Sequence, residues 1–360
     1  MLVPPSTAVQ VHLIDFDEDH DEITHAAFAH PNEVLSISPA PAAADVFASC
    51  ARQVAGAATS HQSLLWRFSK IDAEDDGRLR GGSGGSLEQV SALSPGSQLT
   101  AIHQVVWEPS GSASELVAIG KSGAGVFSLS GPDMVASFSH MIMLAPEPMQ
   151  TPICGAWSPH SRSQIALGSG NTVGVWDLRS KSESARIDKA HELSVRCLDF
   201  NPNKAHQIVS GGDDCKIRIW DTRNTKTFVK EVSDHTHWVW SVSFNRSHDQ
   251  LLLSSSSDCQ VNLTSVVSVS SAVFFDPSQR AHGESGSPDG RARRSSDDED
   301  ATEYQSKTTD GLVASFDQHE EAVYSVAWSA ADPWIFASLS YDGRVVVNQV
   351  PRDHKYKIIL

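Results

Sequence analysis

Short runs in which hydrophobic and polar residues partly alternate fill most of the chain. No long segment with a 3.6-residue period competes with them. SVRCLDF (194–200), QIVSGG (207–212) and KIRIWD (216–221) follow one another, separated by turn signals such as Asn201-Pro202 and Asp213-Asp214. Runs of this length and period predict short β-strands joined by tight turns.

The same block recurs. Residues 190–223 align with 234–264 and with 318–348, matching His191 to His235 and His319, Val195 to Val239 and Val323, and Asp214 to Asp258 and Asp342. The first two copies are 44 residues apart, and Trp176 also lies 44 residues before Trp220. Weaker copies place Leu129 and Trp66 at the Trp220 position, and VQVHLIDFD reads as one more such strand, with Ile14-Asp15 replacing Trp-Asp. Seven third strands are therefore expected, at Ile14, Trp66, Leu129, Trp176, Trp220, Thr264 and Asn348. Four short strands in about 40–45 residues is the blade unit of a propeller. The pattern predicts an all-β, seven-bladed β-propeller over 10–360, with an incomplete first blade and 1–9 as an N-terminal extension. Two stretches fall outside the blades. Residues 70–98, with Asp72–Asp76 and GGSGGS, read as a flexible linker. Residues 276–310, rich in Ser, Gly, Arg and Asp, read as a disordered excursion that stretches the 264-to-348 spacing to 84.

Composition narrows the function. Lys and Arg number 28 against 44 Asp and Glu, a net charge of −16. That balance argues against nucleic acid, which needs a basic footprint, and against anionic lipid. No apolar run approaches the roughly 20 residues of a membrane span, so no direct membrane insertion is expected. The five cysteines are scattered without a C-x-x-C pair, which predicts neither a disulfide framework nor a zinc site and suits a reducing cytoplasm. Met1 to His20 has no basic n-region and does not read as a signal peptide.

The strongest chemical signal is His191, Ser210, Asp214 and Trp220, with Ser four before Asp and Asp six before Trp. In WD-repeat proteins such positions form a buried network from indole N–H through Ser and His to the turn Asp, which stabilises when every member is satisfied. His235, Ser254 and Asp258 repeat it, as do His319, Ser338 and Asp342, while Thr264 and Asn348 replace the tryptophan. A Ser/His/Asp set also suggests a hydrolase. Its recurrence in several blades and the lack of a G-x-S-x-G elbow favour scaffold, so no catalytic residue is assigned. Gly168–Gly174 lacks the following helix that a phosphate loop needs. His235-x-His237 has no third ligand at useful spacing. No metal and no cofactor are expected.

Trp238 and Trp240 share one face of a strand, read as inter-blade core with partner anchoring as the alternative. Arg179 and Arg223 close two W-D-x-R motifs, a pattern that some WD-repeat proteins use to dock on the adaptor of cullin-4 ubiquitin ligases. Ser295 and Ser296, between Arg293-Arg294 and an acidic run, are candidate phosphorylation sites.

The stretches HLIDFD, LDFNPNK, GGDDCKIRIWDTRN, HTHWVW, SHDQLLLSSSSD, WSAADPWIFASLSYDGR and KYKIIL resemble the EARP- and GARP-complex-interacting family of WD-repeat proteins, from about residue 10 to 360 outside the two linkers. The resemblance implies a propeller without catalysis that associates with two tethering complexes, the endosome-associated recycling complex and the Golgi-associated retrograde complex. It implies a scaffold supporting endosomal recycling, retrograde traffic to the trans-Golgi network and, in animals, dense-core vesicle formation. The family has further residues for the early strands of its first blade, which only VQVHLIDFD represents here; an incomplete blade would leave unpaired edges. The expected protein is a monomeric, cytoplasmic propeller, peripheral to endosomes and the trans-Golgi network. Its partners are tether subunits, with a cullin-4 substrate receptor as the alternative.

Overall fold

A computed structural model describes residues 9–272, apart from 18–19, 21, 42, 56–57, 70–81, 84, 95, 97–98, 112–113, 132 and 143–151, and residues 309–359. The chain forms two compact units, 1–195 and 196–360.

In the first unit, β1 (Val9–Asp17) and β2 (Glu22–His30) make an antiparallel ribbon, with Val9 opposite His30 and Asp17 opposite Glu22. A sheet follows from β3 (Glu33–Pro39), β4 (Val46–Ala55) and β5 (Ala58–Ser69). After β6 (Gly82–Ser83), which bridges β2, its fourth strand is β7 (Ser86–Ala92). The next sheet holds β8 (Gln104–Trp107), β9 (Glu115–Gly120), β10 (Gly123–Ser130) and β11 (Val135–Ile142). The third holds β12 (Pro152–Trp157), β13 (Gln164–Ser169), β14 (Thr172–Asp177) and β15 (Ser182–Ile187). The first strands β3, β8 and β12 are neighbours. The core lies between sheets, where Leu65, Leu116, Phe127, Ile165 and Leu167 are fully covered. Apolar residues face both neighbouring sheets, so the second and third strands read as near-continuous apolar runs.

In the second unit, β16 (Val195–Phe200), β17 (Gln207–Gly212), β18 (Ile217–Asp221) and β19 (Lys230–Val232) form one sheet. The next is β20 (Val239–Phe244), β21 (Leu251–Ser256), β22 (Val261–Ser265) and β23 (Gly311–Phe316). The last has three strands, β24 (Val323–Trp328), β25 (Ile335–Ser340) and β26 (Val345–Gln349). Its core holds Phe244, Leu252, Leu253, Leu263 and Phe336. Asp199 locks two sheets together: its buried carboxylate accepts the Phe244 N–H at 2.9 Å from the neighbouring sheet and the Phe200 N–H at 2.9 Å. Burial pushes this carboxyl above its ordinary value, against the pull of Arg246.

Six of the seven expected third strands are third strands here: β5, β10, β14, β18, β22 and β26 carry Trp66, Leu129, Trp176, Trp220, Thr264 and Asn348. The seventh is corrected. β1 opens a ribbon with β2, and its contact with β6 is a two-residue parallel bridge, so the described residues hold six blade-type sheets rather than seven. The linker expectation is corrected too. Ser86–Ala92 pairs with β5 from Ser69 to Leu64, because Leu87 and Val90 find apolar neighbours there despite the preceding glycine–serine run. The excursion at 276–310 lies outside the described residues except for 309–310, and so do Ser295 and Ser296. An unexpected helix, α1 (Arg352–Ile359), follows Pro351 and rests Lys355 near Trp334.

Candidate protein-binding site

Each blade-type sheet turns from its second to its third strand in a hairpin, and the polar networks gather beside these turns. In the β20–β23 sheet, His235 sits between two partners: Nδ1 lies 3.0 Å from Asp258 Oδ2 and Nε2 2.9 Å from Ser254 Oγ. Asp258 also accepts the N–H groups of Thr236 at 3.0 Å and Gln260 at 3.1 Å. Burial would raise its carboxyl; the His235 and Thr236 hydrogen bonds outweigh that and hold it below its ordinary value. In the last sheet, His319 Nε2 lies 2.8 Å from Ser338 Oγ, and Nδ1 is 3.5 Å from Asp342. Asn348, at the tryptophan position, pairs instead with Gln318 through two bonds of 2.9 and 3.1 Å. In the β16–β19 sheet, Trp220 Nε1 donates to Ser210 Oγ at 3.0 Å, and Asp214 accepts the Lys216 N–H at 3.3 Å. His191 is buried in the 1–195 unit.

A network that the repeat alignment misses lies in the first unit. Ser49 Oγ accepts Trp66 Nε1 at 2.8 Å and meets His30 Nε2 at 3.1 Å. His30 Nδ1 lies 2.8 Å from the Asn32 carbonyl where the other sheets have an aspartate. The signal was the His-to-Ser spacing of 19, shared with His235–Ser254 and His319–Ser338. The Ser-to-Trp spacing of 17 hid it, because β4 and β5 form a longer hairpin than the spacing of 10 in Ser210–Trp220 requires.

The tryptophan pair is not interior. Trp238 is 41% exposed and Trp240 half-buried. Their rings meet edge to face at 6.2 Å, and the Arg196 guanidinium lies 5.6 Å from one ring centre and 4.9 Å from the other. Asp213 fixes that guanidinium through bonds of 2.6 and 3.0 Å, and Trp240 Nε1 donates to Ser257 Oγ at 2.5 Å. The core reading fails because Trp240 follows Val239, whose side chain takes the covered face. This leaves the rings on an exposed rim.

Arg223 folds back on its own motif. Its Nε and Nη2 reach Asp221 at 2.9 and 2.6 Å, and its N–H donates to the same carboxylate at 2.9 Å. The Arg223 hydrogen bond carries the Asp221 carboxyl down to about 2. In the other motif, the Arg179 N–H caps Asp177 at 2.9 Å. W-D-x-R is thus a turn closure in both places. Gly168–Gly174 spans the β13–β14 hairpin, with Gly170 at φ 54°. His237 is exposed and its Nδ1 accepts the Trp238 N–H, away from His235's partners.

Antiparallel meanders of short strands with a repeated His–Ser–Asp network define the class, a WD-repeat β-propeller. The EIPR1 beta-propeller family model matches residues 5–264, and a WD domain, G-beta repeat model matches 311–347. The chain belongs to the EIPR1 beta-propeller family. It is 36% identical to the EARP and GARP complex-interacting protein 1 of Rattus norvegicus, over 98% of this chain and 89% of that protein. The Homo sapiens protein of the same name is 37% identical with the same coverage. A WD repeat-containing protein of Arabidopsis thaliana, DWA2, is 30% identical over 95% of this chain and 86% of its own length.

Proposed function

We propose that this chain is a non-catalytic scaffold that binds EARP- and GARP-type tethering complexes and supports endosomal recycling and retrograde traffic to the trans-Golgi network. What carries the reading is similarity over nearly the whole chain to proteins named for interaction with those complexes. The aromatic rim at Trp238 and Trp240 supports it, because large exposed rings on a rigid sheet are the residues that anchor protein partners. In this reading the protein reaches endosomes and the trans-Golgi network through its partners. Among the described residues no helix is long and apolar enough to cross a membrane.

No observation favours the cullin-4 reading. The Arg223 fork that would serve an adaptor is closed on Asp221, and no relative above carries that function in its name. Affinity purification of the tagged chain, with identification of its co-purifying proteins, tests the choice. Tether subunits are the expected result, retained by Arg223→Ala. Recovery of a ligase adaptor without tether subunits would overturn the proposal.

A further inference from the structure

The three sheets of residues 196–360 repeat one surface position. Arg196, Trp240 and Tyr324 each follow the first valine of their sheet, and Asp213, Ser257 and Tyr341 each precede the turn aspartate. Each pair is in contact: Arg196 with Asp213, Trp240 with Ser257, and Tyr324 with Tyr341 at 4.7 Å between ring centres. In the first two sheets the position already displays a recognition chemistry, a guanidinium held between aromatic rings and a carboxylate. In the third sheet the rings are open. Tyr341 is 69% exposed and Tyr324 36%, and among the described residues no cation is seated over them.

The surroundings are acidic. Glu320 and Glu321 are exposed beside the Asp342 turn, whose carboxylate accepts the Glu320 N–H. Arg344 is held by Glu320 at 3.0 Å, and among the described residues no cation is paired with Glu321. The thiol of Cys259 registers the same field: burial and the carboxylates of Glu321, Asp258 and Asp342 push it up. An excess of carboxylates beside exposed aromatic faces attracts a planar cation, which stacks on the ring and pairs with the acid at once. Lysine, a compact and strongly hydrated charge, fits such a site less well.

We propose that Tyr324, Tyr341 and Glu321 dock an arginine side chain on an extended segment of a protein partner. The inference rests on the reading of this rim as a partner surface and adds the chemistry it selects. Charge complementarity fixes the occupant: a chain of net charge −16 presents here an acidic, aromatic patch whose own Arg196 shows the geometry of capture.

The test uses the full chain and two fluorescent peptides, Gly-Arg-Gly-Arg-Gly and its citrulline counterpart, which keeps the shape and removes the charge. Anisotropy should show the arginine peptide binding roughly tenfold more tightly, and the affinity should fall as salt is added. Tyr341→Ala and Glu321→Gln, both at exposed positions, should each weaken it roughly three- to tenfold with an unchanged melting temperature. Equal binding of both peptides, no binding, or full binding by both variants would overturn the inference. Tether binding is measured on the same samples. A wild-type chain that binds tether but not the arginine peptide defeats this inference alone. One that binds the peptide but neither tethering complex defeats the proposed function.

Discussion

Trp176 and Trp220 occupy the same ladder position in neighbouring repeats, opposite Ile165 and Ile208, yet their indoles differ in what they reach. Trp220 donates to Ser210, whereas the Trp176 N–H has no hydrogen-bond partner among the described residues. Leu167 stands where Ser210 would be, two residues from the tryptophan's opposite number in each ladder, and offers no acceptor. Trp220→Phe should therefore cost about 1–2 kcal/mol by removing the hydrogen bond that Ser210 accepts from the indole, and Trp220→Ala about 3–5 kcal/mol through the lost ring as well. Trp176→Phe should cost less than Trp220→Phe. Urea unfolding midpoints compare them, and equal losses for the two Phe variants would contradict the assignment. Asp258 gives a second residue-scale prediction. Its carboxyl is lower in the folded chain than its ordinary 3.8, so its stabilisation is present above that value and is lost as pH falls through the folded value. The stability difference between wild type and Asp258→Asn should shrink as pH falls below about 4. A difference that holds constant below that pH would show that Asp258 is not the titrating group. Most of these residues were legible as a repeated spacing. Ser49 and His30 were not, because spacing was measured from the tryptophan, and a hairpin of different length moves the tryptophan without moving the histidine.

At the scale of the strand, small residues decide how closely sheets approach. A Cβ on Gly211 would lie 2.6 Å from Cys197 Sγ and 2.7 Å from Val239 Cγ1 of the next sheet. Gly168 repeats the arrangement, with Cys154 Sγ at 2.6 Å and Val195 Cγ1 at 3.0 Å. Val239, the first valine of its sheet, thus inserts against a glycine in the second strand of the sheet before it. Gly211→Ala should destabilise by about 1–3 kcal/mol through overpacking, and thermal melting that leaves the midpoint unchanged would refute the close approach. Six third strands were readable because the repeat keeps its spacing even where Thr264 and Asn348 replace the tryptophan. β7 was not, since Ser86–Ala92 carries only Leu87 and Val90 as large apolar residues and follows glycine and serine. β1 was misassigned for the reverse reason. VQVHLIDF has the pattern of a third strand, but pattern alone does not say which neighbour a strand pairs with, and β2 is its antiparallel partner. α1 went unseen because its eight residues fully bury none of their side chains, and only Ile358 packs on the core.

For the whole molecule, the β-propeller class was visible in the repeat, while the count of sheets depended on how β1 pairs. The described residues on either side of 273–308 are pinned. Ser271 donates to Asp249 through its N–H at 2.8 Å and its hydroxyl at 2.7 Å, and Asp310 holds Lys230 at 2.6 Å and the Ser268 N–H at 2.9 Å. The anchors of both ends thus belong to the described sheets. Deleting 278–308 should change stability by no more than about 0.5 kcal/mol, because no anchor is removed. A large loss in chemical denaturation would mean that the segment packs on the sheets. The net charge of −16 and the exposed rings of Trp238 and Tyr341 support the proposed binding role. The most direct measurement is therefore equilibrium binding of the purified, folded chain to purified EARP and GARP complexes. Saturable binding to both, weakened by Trp238→Ala without loss of fold, is the predicted result. A folded chain that binds neither complex would contradict it.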